Sequence, residues 1–217
     1  MNRNMKILIA AGMLVLGITT GAFAAERQSF KRQRTNFSCN SFSYSGSIVK
    51  LSEDTNNTAA AKANEILSKK ARDALYGVSE LCSTTFVNQN VLHLDYIQTV
   101  THFTDRYISV AVTRSLKLDN RQIYNTKEGI VIDLLTGDQV SLRELFDANS
   151  EYKKELKTQK TILGANNRVR FYDDQFYLTD THLVLLGYTG EPNANGTRTE
   201  EYKIPLANIE YVMKTKV

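Results

Sequence analysis

Tryptophan is absent from this chain, and cysteine, histidine and proline are scarce, with 2 Cys, 3 His and 2 Pro in 217 residues. The histidines, His93, His102 and His182, stand in no metal-ligand spacing to one another or to either cysteine, so no metal centre is expected. Asp173-Asp174 could supply the carboxylates of a polysaccharide deacetylase, but the helix-spaced histidine pair needed beside them is missing. There is also no G-x-S-x-G elbow, no H-E-x-x-H pair and no glycine-rich phosphate loop. The sequence therefore points to no enzyme and no cofactor. An envelope polysaccharide hydrolase with an unrecognised carboxylate pair stays open, because the separation of such a pair is spatial.

What is present begins with an address. Arg3 and Lys6 precede an uncharged run from Ile7 to Ile18 and the small-residue site Ala22-Phe23-Ala24, the pattern of a secretory signal peptide cleaved after Ala24. The run is shorter than the roughly 18–20 residues of a permanent anchor, and no nearby cysteine could accept a lipid. The expected mature protein is extracytoplasmic, periplasmic or secreted, with no transmembrane anchor. Removing Arg3 and Lys6 from the 27 basic residues leaves 25 against 23 acidic ones, a balance that gives no reason to expect nucleic acid as a partner. Arg27, Lys31, Arg32 and Arg34 crowd into residues 25–35, which lack apolar periodicity and read as a flexible basic arm. Cys39 and Cys82 form an even pair in a compartment where disulfides persist. One bridge between them would restrict the unfolded chain by roughly 4 kcal/mol; two buried free thiols are the alternative.

Residues 36–217 read as one globular unit in two halves, about 36–118 and 119–217. Alternation from Phe42 to Leu51 predicts a strand with a bend at Gly46, and Ala59, Ala63, Ile66, Leu67, Ala71, Ala74, Leu75, Val78 and Leu81 recur at helical spacing. Asp54 or Thr55 can cap that helix, and Glu65 and Lys69 are spaced for an exposed ion pair. Strands are expected over 91–101, 106–118 and 122–135, the first two joined by a turn at Thr104-Asp105. A polar helix over 150–163 carries Tyr152, Leu156, Ile162 and Leu163 and stops at Gly164. A hairpin joins 176–178 to 183–188, a strand covers 201–204, and Pro205 suits the first turn of a terminal helix with Leu206, Ile209 and Val212. Hairpin-joined strands with few helices predict an α+β fold, a largely antiparallel sheet with a long helix and shorter helices mainly on one face.

The segment from Gly129 to Phe146, GIVIDLLTGDQVSLRELF, is the most specific. An apolar strand ends at Asp133 and a turn at Thr136-Gly137-Asp138 follows, with Gly137 supplying positive φ. Ser141 and Glu144 have capping-box spacing ahead of Leu142, Leu145 and Phe146. Asp133 reads as a carboxylate accepting turn amides. Downstream, Thr189–Thr199 is a polar loop of a length that invites a functional reading. Glu191, Asn193 and Asn195 in it, with Asp173 and Asp174, are the candidate ligand-binding residues.

Together Asp133, Thr136, Gly137, Leu142, Leu145 and Phe146, then Phe176-Tyr177-Leu178, then Pro192, Ala194 and Gly196 resemble a bacterial extracytoplasmic domain of unknown function, the family that includes the sensor part of RsiV-type anti-sigma factors. The loop aromatic of that family is Asn193 here. Some family members sense lysozyme and others are joined to polysaccharide deacetylase domains, so the resemblance implies ligand binding at the cell envelope. The expected function is a non-catalytic, sensor-like domain recognising an envelope protein or glycan; a structural partner domain of an envelope assembly is a further alternative.

Overall fold

The computed structural model describes residues 29–39, 42–52, 57–76, 91–119, 121–163, 170–188 and 199–214. In chain order the elements are β1 (Phe30–Cys39), β2 (Phe42–Leu51), α1 (Thr58–Ala74), β3 (Leu92–Phe103), β4 (Tyr107–Leu118), β5 (Arg121–Asp133), a 3-10 turn (Leu142–Leu145), α2 (Tyr152–Ile162), β6 (Arg170–Leu178), β7 (His182–Tyr188), β8 (Thr199–Pro205) and α3 (Leu206–Ile209). The class is α+β, as the alternation implies. The strands divide into two sheets, one ordered β1-β2-β3-β4-β5 and one ordered β6-β7-β8. All neighbours are antiparallel except β2 and β3, which run parallel because the segment between them includes α1.

Alternation along the strands assigns the faces of the five-stranded sheet. Phe42, Tyr44, Leu94, Tyr96, Ile108, Val110, Val112, Ile130 and Ile132 form one core with Ala60, Ala63, Leu67 and Ala71 of α1. The small alanines let helix and sheet approach, and Asn57, rather than Asp54 or Thr55, caps the helix by accepting from the Ala60 amide at 3.0 Å. Its exposed face pairs Lys69 with Asp73 and Arg72 with Glu65, not Glu65 with Lys69. Gln98, fully buried between helix and sheet, accepts from the Val49 amide at 2.9 Å and donates to the Leu67 carbonyl at 2.9 Å, so that core's polar centre is satisfied.

Among the described residues, the smaller sheet covers only part of the opposite face. Ala111 of β4 packs with Tyr177, Val184, Leu186 and Tyr188 of the smaller sheet, and Ser109 Oγ accepts from the Leu178 amide at 2.8 Å. Gly129 is what permits the contact. A Cβ there would stand 1.8 Å from the Phe176 carbonyl oxygen, so β6 crosses β5 where β5 has no side chain. The other face of the smaller sheet, with Phe176, Leu178, Leu183, Leu185, Tyr202 and Ile204, forms a second core with Leu145, Leu156 of α2, Ile209 of α3 and Val212. The helices therefore serve two cores, α1 against the larger sheet and α2 and α3 against the smaller. In α2, Leu156 and Gln159 are buried, while Ile162 and Leu163 are exposed.

The basic segment expected to be a flexible arm is, from Phe30 onward, an edge strand. Lys31, Arg32 and Arg34 pair with Lys50, Val49 and Ser47 of β2 while their side chains stay in solvent. Phe30 meets Phe103 and Phe37 meets Tyr44, each with ring centroids 5.3 Å apart. An edge strand loaded with cations resists pairing with another chain. Cys39 closes β1 and is not a free thiol; Cys82, Asp54, Thr55, Val78, Leu81 and Gly164 lie outside the described residues.

Candidate functional site

The segment 129–146 folds as a structural joint. Gly137 has φ +75°, and a Cβ there would lie 2.4 Å from the Ala59 carbonyl of α1, so glycine is required for both conformation and space. Asp133 accepts from the Leu135 amide at 2.8 Å and faces Arg106 at 3.4 Å, while Thr136 Oγ1 accepts from the Asp138 amide at 3.2 Å. Glu144 accepts from both the amide and the hydroxyl of Ser141, each at 2.6 Å. Those hydrogen bonds hold its carboxyl below the ordinary glutamate range. All five residues are occupied with this connection.

Of the expected ligand-binding residues, Glu191, Asn193 and Asn195 lie outside the described residues. Asp173 and Asp174 lie on β6, within the stretch where pairing with β7 is interrupted between Phe171 and Phe176. Asp174 is exposed. The described residues that flank 189–198, Tyr188 and Thr199, pair with each other across β7 and β8. Both bind one residue of the larger sheet. The Lys127 amide donates to Thr199 Oγ1 at 2.8 Å, and the Tyr188 hydroxyl lies 2.8 Å from the Lys127 carbonyl and 3.2 Å from Gln175 Oε1.

The Lys127 side chain completes a charged cluster at this root. Its ammonium lies 2.5 Å from Glu201 Oε1, to which the Tyr177 hydroxyl donates at 2.7 Å, and 6.0 Å from the centre of the Tyr177 ring. Burial alone would raise the Glu201 carboxyl, but the hydrogen bonds from Lys127 and Tyr177 outweigh it and hold the group below the usual carboxylate range. Burial pushes the Tyr177 and Tyr188 hydroxyls well above the ordinary tyrosine value, so both remain donors. Beside the cluster a depression of about 530 Å³ opens along β8, lined by Leu163, Glu200, Glu201, Tyr202 and Lys203. That is within the size range of ligand sites, whereas a second hollow, between α2 and Leu185 and Tyr172, has only about 180 Å³ and falls short of it.

From this step the uncovered part of the larger sheet extends toward β1. On β4 the residues on that side are Thr113, Ser115 and Lys117, continuing the row that starts with buried Tyr107, Ser109 and Ala111. In pairing register they stand beside Ile97, Asp95 and His93 of β3, which in turn stand beside Ser47, Ser45 and Ser43 of β2. Four of these side chains form a continuous line. Ser43 Oγ lies 2.6 Å from His93 Nδ1, His93 Nε2 lies 2.9 Å from Asp95 Oδ1, and Lys117 donates to Asp95 Oδ2 at 3.0 Å. Burial opposes ionisation of Asp95, yet Lys117 and His93 together lower its carboxyl below the ordinary range. With Asp95 ionised, Nε2 is the donor to it, which leaves Nδ1 to face the Ser43 hydroxyl.

A hydroxyl, an imidazole and a carboxylate in line are the parts of an activated nucleophile. Their setting here is different. Ser43 sits on a strand paired on both sides, so among the described residues its neighbourhood is a filled ladder rather than a turn presenting amides. Asp95 is also shared with Lys117. The line suits hydrogen-bond recognition, with donors and acceptors already oriented. The spacing His93-x-Asp95 was visible in the sequence as two residues on one strand face, but Ser43, 50 positions earlier, joins them only through the parallel pairing of β2 with β3.

No family model matches the chain, and no curated protein matches it in sequence. Solved structures that share its fold include two DUF3298-family proteins. A DUF3298-family protein from Bacteroides fragilis is 11% identical with a TM-score of 0.54, the match covering 87% of this chain and 94% of that one. A DUF3298-family protein from Pseudomonas aeruginosa is 14% identical with a TM-score of 0.56, covering 86% and 94%. At these identities the likeness is one of fold, to a bacterial domain of unknown function.

Proposed function

We propose that this chain is an exported, non-catalytic binding domain that recognises a component or protein of the cell envelope at the step between its two sheets. The observation that carries this reading is the Lys127–Glu201–Tyr177 cluster at the root of the 189–198 loop. Tyr188 and Thr199, the described residues on either side of 189–198, both bond to this one lysine of the other sheet. An oriented cation, carboxylate and phenol beside an open depression offer a ligand both signs of charge and an aromatic ring. Export rests on the signal-peptide pattern of residues 1–24. The sensor role of RsiV-type proteins belongs to the same proposal, with lysozyme as one protein to be tried.

The test is co-purification from the extracytoplasmic fraction with the mature wild-type chain, a variant lacking residues 192–196, and Glu201→Gln. The reading expects a partner held by the wild type and lost from both variants while their melting curves remain cooperative. Equal retention by all three would place binding elsewhere. New cleavage products from peptidoglycan incubated with the mature protein would favour the hydrolase reading instead.

A further inference from the structure

We infer that the polar face of the five-stranded sheet, centred on Asp95 and left open among the described residues, is a binding surface for a neutral oligosaccharide. This rests on the proposed binding role and gives it a chemical class of ligand and a second set of residues. None of the side chains concerned is buried: Ser43, Ser45, His93, Asp95, Thr113, Ser115 and Lys117 are half-buried, and Asn36, Ile97 and Asn125 are exposed. Asn36 and Ser38 extend the surface onto β1, where they alternate with Phe37, whose ring packs on Tyr44 from the core side. Asn125, paired with Ser115, extends it onto β5 two residues before Lys127. Neighbouring strands lie ~4.8 Å apart and same-face residues along a strand roughly 7 Å apart, so the surface is a regular lattice of polar groups.

Three features select the ligand. At the centre of the face the charges are balanced against each other, because Asp95 is held by Lys117 and by His93, and the further cation on β1, Arg34 beside Ser47, stands at its edge. The groups mix donors and acceptors: serine and threonine hydroxyls, asparagine amides, one carboxylate and one ammonium. A sugar hydroxyl both donates and accepts, and it matches such a set better than a phosphate, which needs donors alone, or an apolar helix, which needs none. Ile97, 42% exposed in the middle of the lattice, provides the apolar spot on which the C–H face of a sugar ring can rest. The surface also runs without a break into the proposed site, since Ile97 pairs with Thr113 and Thr113 with Lys127. A chain-like ligand could lie along both.

The experiment is two-dimensional NMR of the isotope-labelled mature protein titrated with linear N-acetylglucosamine oligomers, with maltooligosaccharides as a second neutral series and polyglutamate as an anionic control. The inference expects saturable shifts in the amides of residues 43–45, 93–97 and 113–117 with at least one neutral series. Asp95→Asn should weaken that binding at least tenfold, and Ile97→Ser about threefold, with both variants retaining the dispersed spectrum of the folded protein. It is overturned if neither neutral series moves these amides, if polyglutamate moves them instead, or if Asp95→Asn binds as the wild type does. Loss of envelope capture in the 192–196 deletion alongside silent oligosaccharide titrations would remove this inference and leave the binding role standing. Failure of both experiments would remove both.

Discussion

Replacing Gly129 with alanine tests how the two sheets are held together. The added carbon would lie 1.8 Å from the Phe176 oxygen, 2.2 Å from its carbonyl carbon and 2.9 Å from the Tyr177 nitrogen. All three are backbone atoms, so no side-chain rotation relieves the clash. Restoring ordinary contact at 3.4 Å requires β6 and β5 to separate locally by about 1.6 Å, the difference of the two distances. That opening loosens the packing of Ala111 against Tyr177, Val184, Leu186 and Tyr188 and lengthens the 2.7 Å bond from Tyr177 to Glu201. Overpacking into rigid surroundings costs ~3 kcal/mol or more, and in a chain of this length that lowers the melting temperature by roughly 6–12 °C. Urea denaturation and calorimetry read it directly. Gly46→Ala is the internal control: its nearest neighbours are Tyr44 ring atoms, which belong to a side chain, so its effect should be smaller. A Gly129→Ala stability within ~0.5 kcal/mol of wild type would refute the close crossing of β5 and β6.

Three further outcomes follow from the same structure. Glu201, Asp95 and Glu144 all have carboxyls held below their ordinary values, so their stabilisation is complete above the unfolded values near ~4 and is lost as pH falls through the lower folded ones; melting temperature should decline below about pH 4, less steeply in Glu201→Gln, and an unchanged acid profile in that variant would contradict the assignment. Gln98→Leu leaves the buried Val49 amide without its 2.9 Å acceptor and should cost ~1–3 kcal/mol in urea melts, a neutral result counting against the polar centre. Cys39 and Cys82 are proposed to pair, so the exported protein should contain no titratable thiol, and Cys82→Ser should lose up to roughly 4 kcal/mol; two reactive thiols in the unfolded, unreduced protein would exclude the bridge.

Local features of the fold were legible where one residue type answers one geometric demand. Gly137 at positive φ, the Ser141–Glu144 contact, Pro205 before α3, and the alternation of Ile108, Val110 and Val112 all follow from rules within a few positions of the chain. The division into two sheets did not follow. It depends on Gly129 meeting Phe176 and on Lys127 meeting Glu201, contacts 47 and 74 positions apart that leave no periodic trace. The edge strand β1 was hidden for another reason: its backbone pairs with β2 while its side chains remain wet, so its hydrogen bonds impose no apolar period. The open polar face escaped notice because each residue looks like an ordinary solvated strand position until the parallel register sets Ser43 beside His93.

The central claim is that ligands are met at the step between the sheets and along the uncovered face beside it. Hydrogen–deuterium exchange of the mature protein, with and without solubilised envelope material, tests it most directly. The account predicts slowed exchange concentrated in residues 189–201, in residues 124–128 of β5, and in residues 43–45, 93–97 and 113–117. Protection limited to α2 or to the outer face of α1, with those strands unchanged, would contradict it.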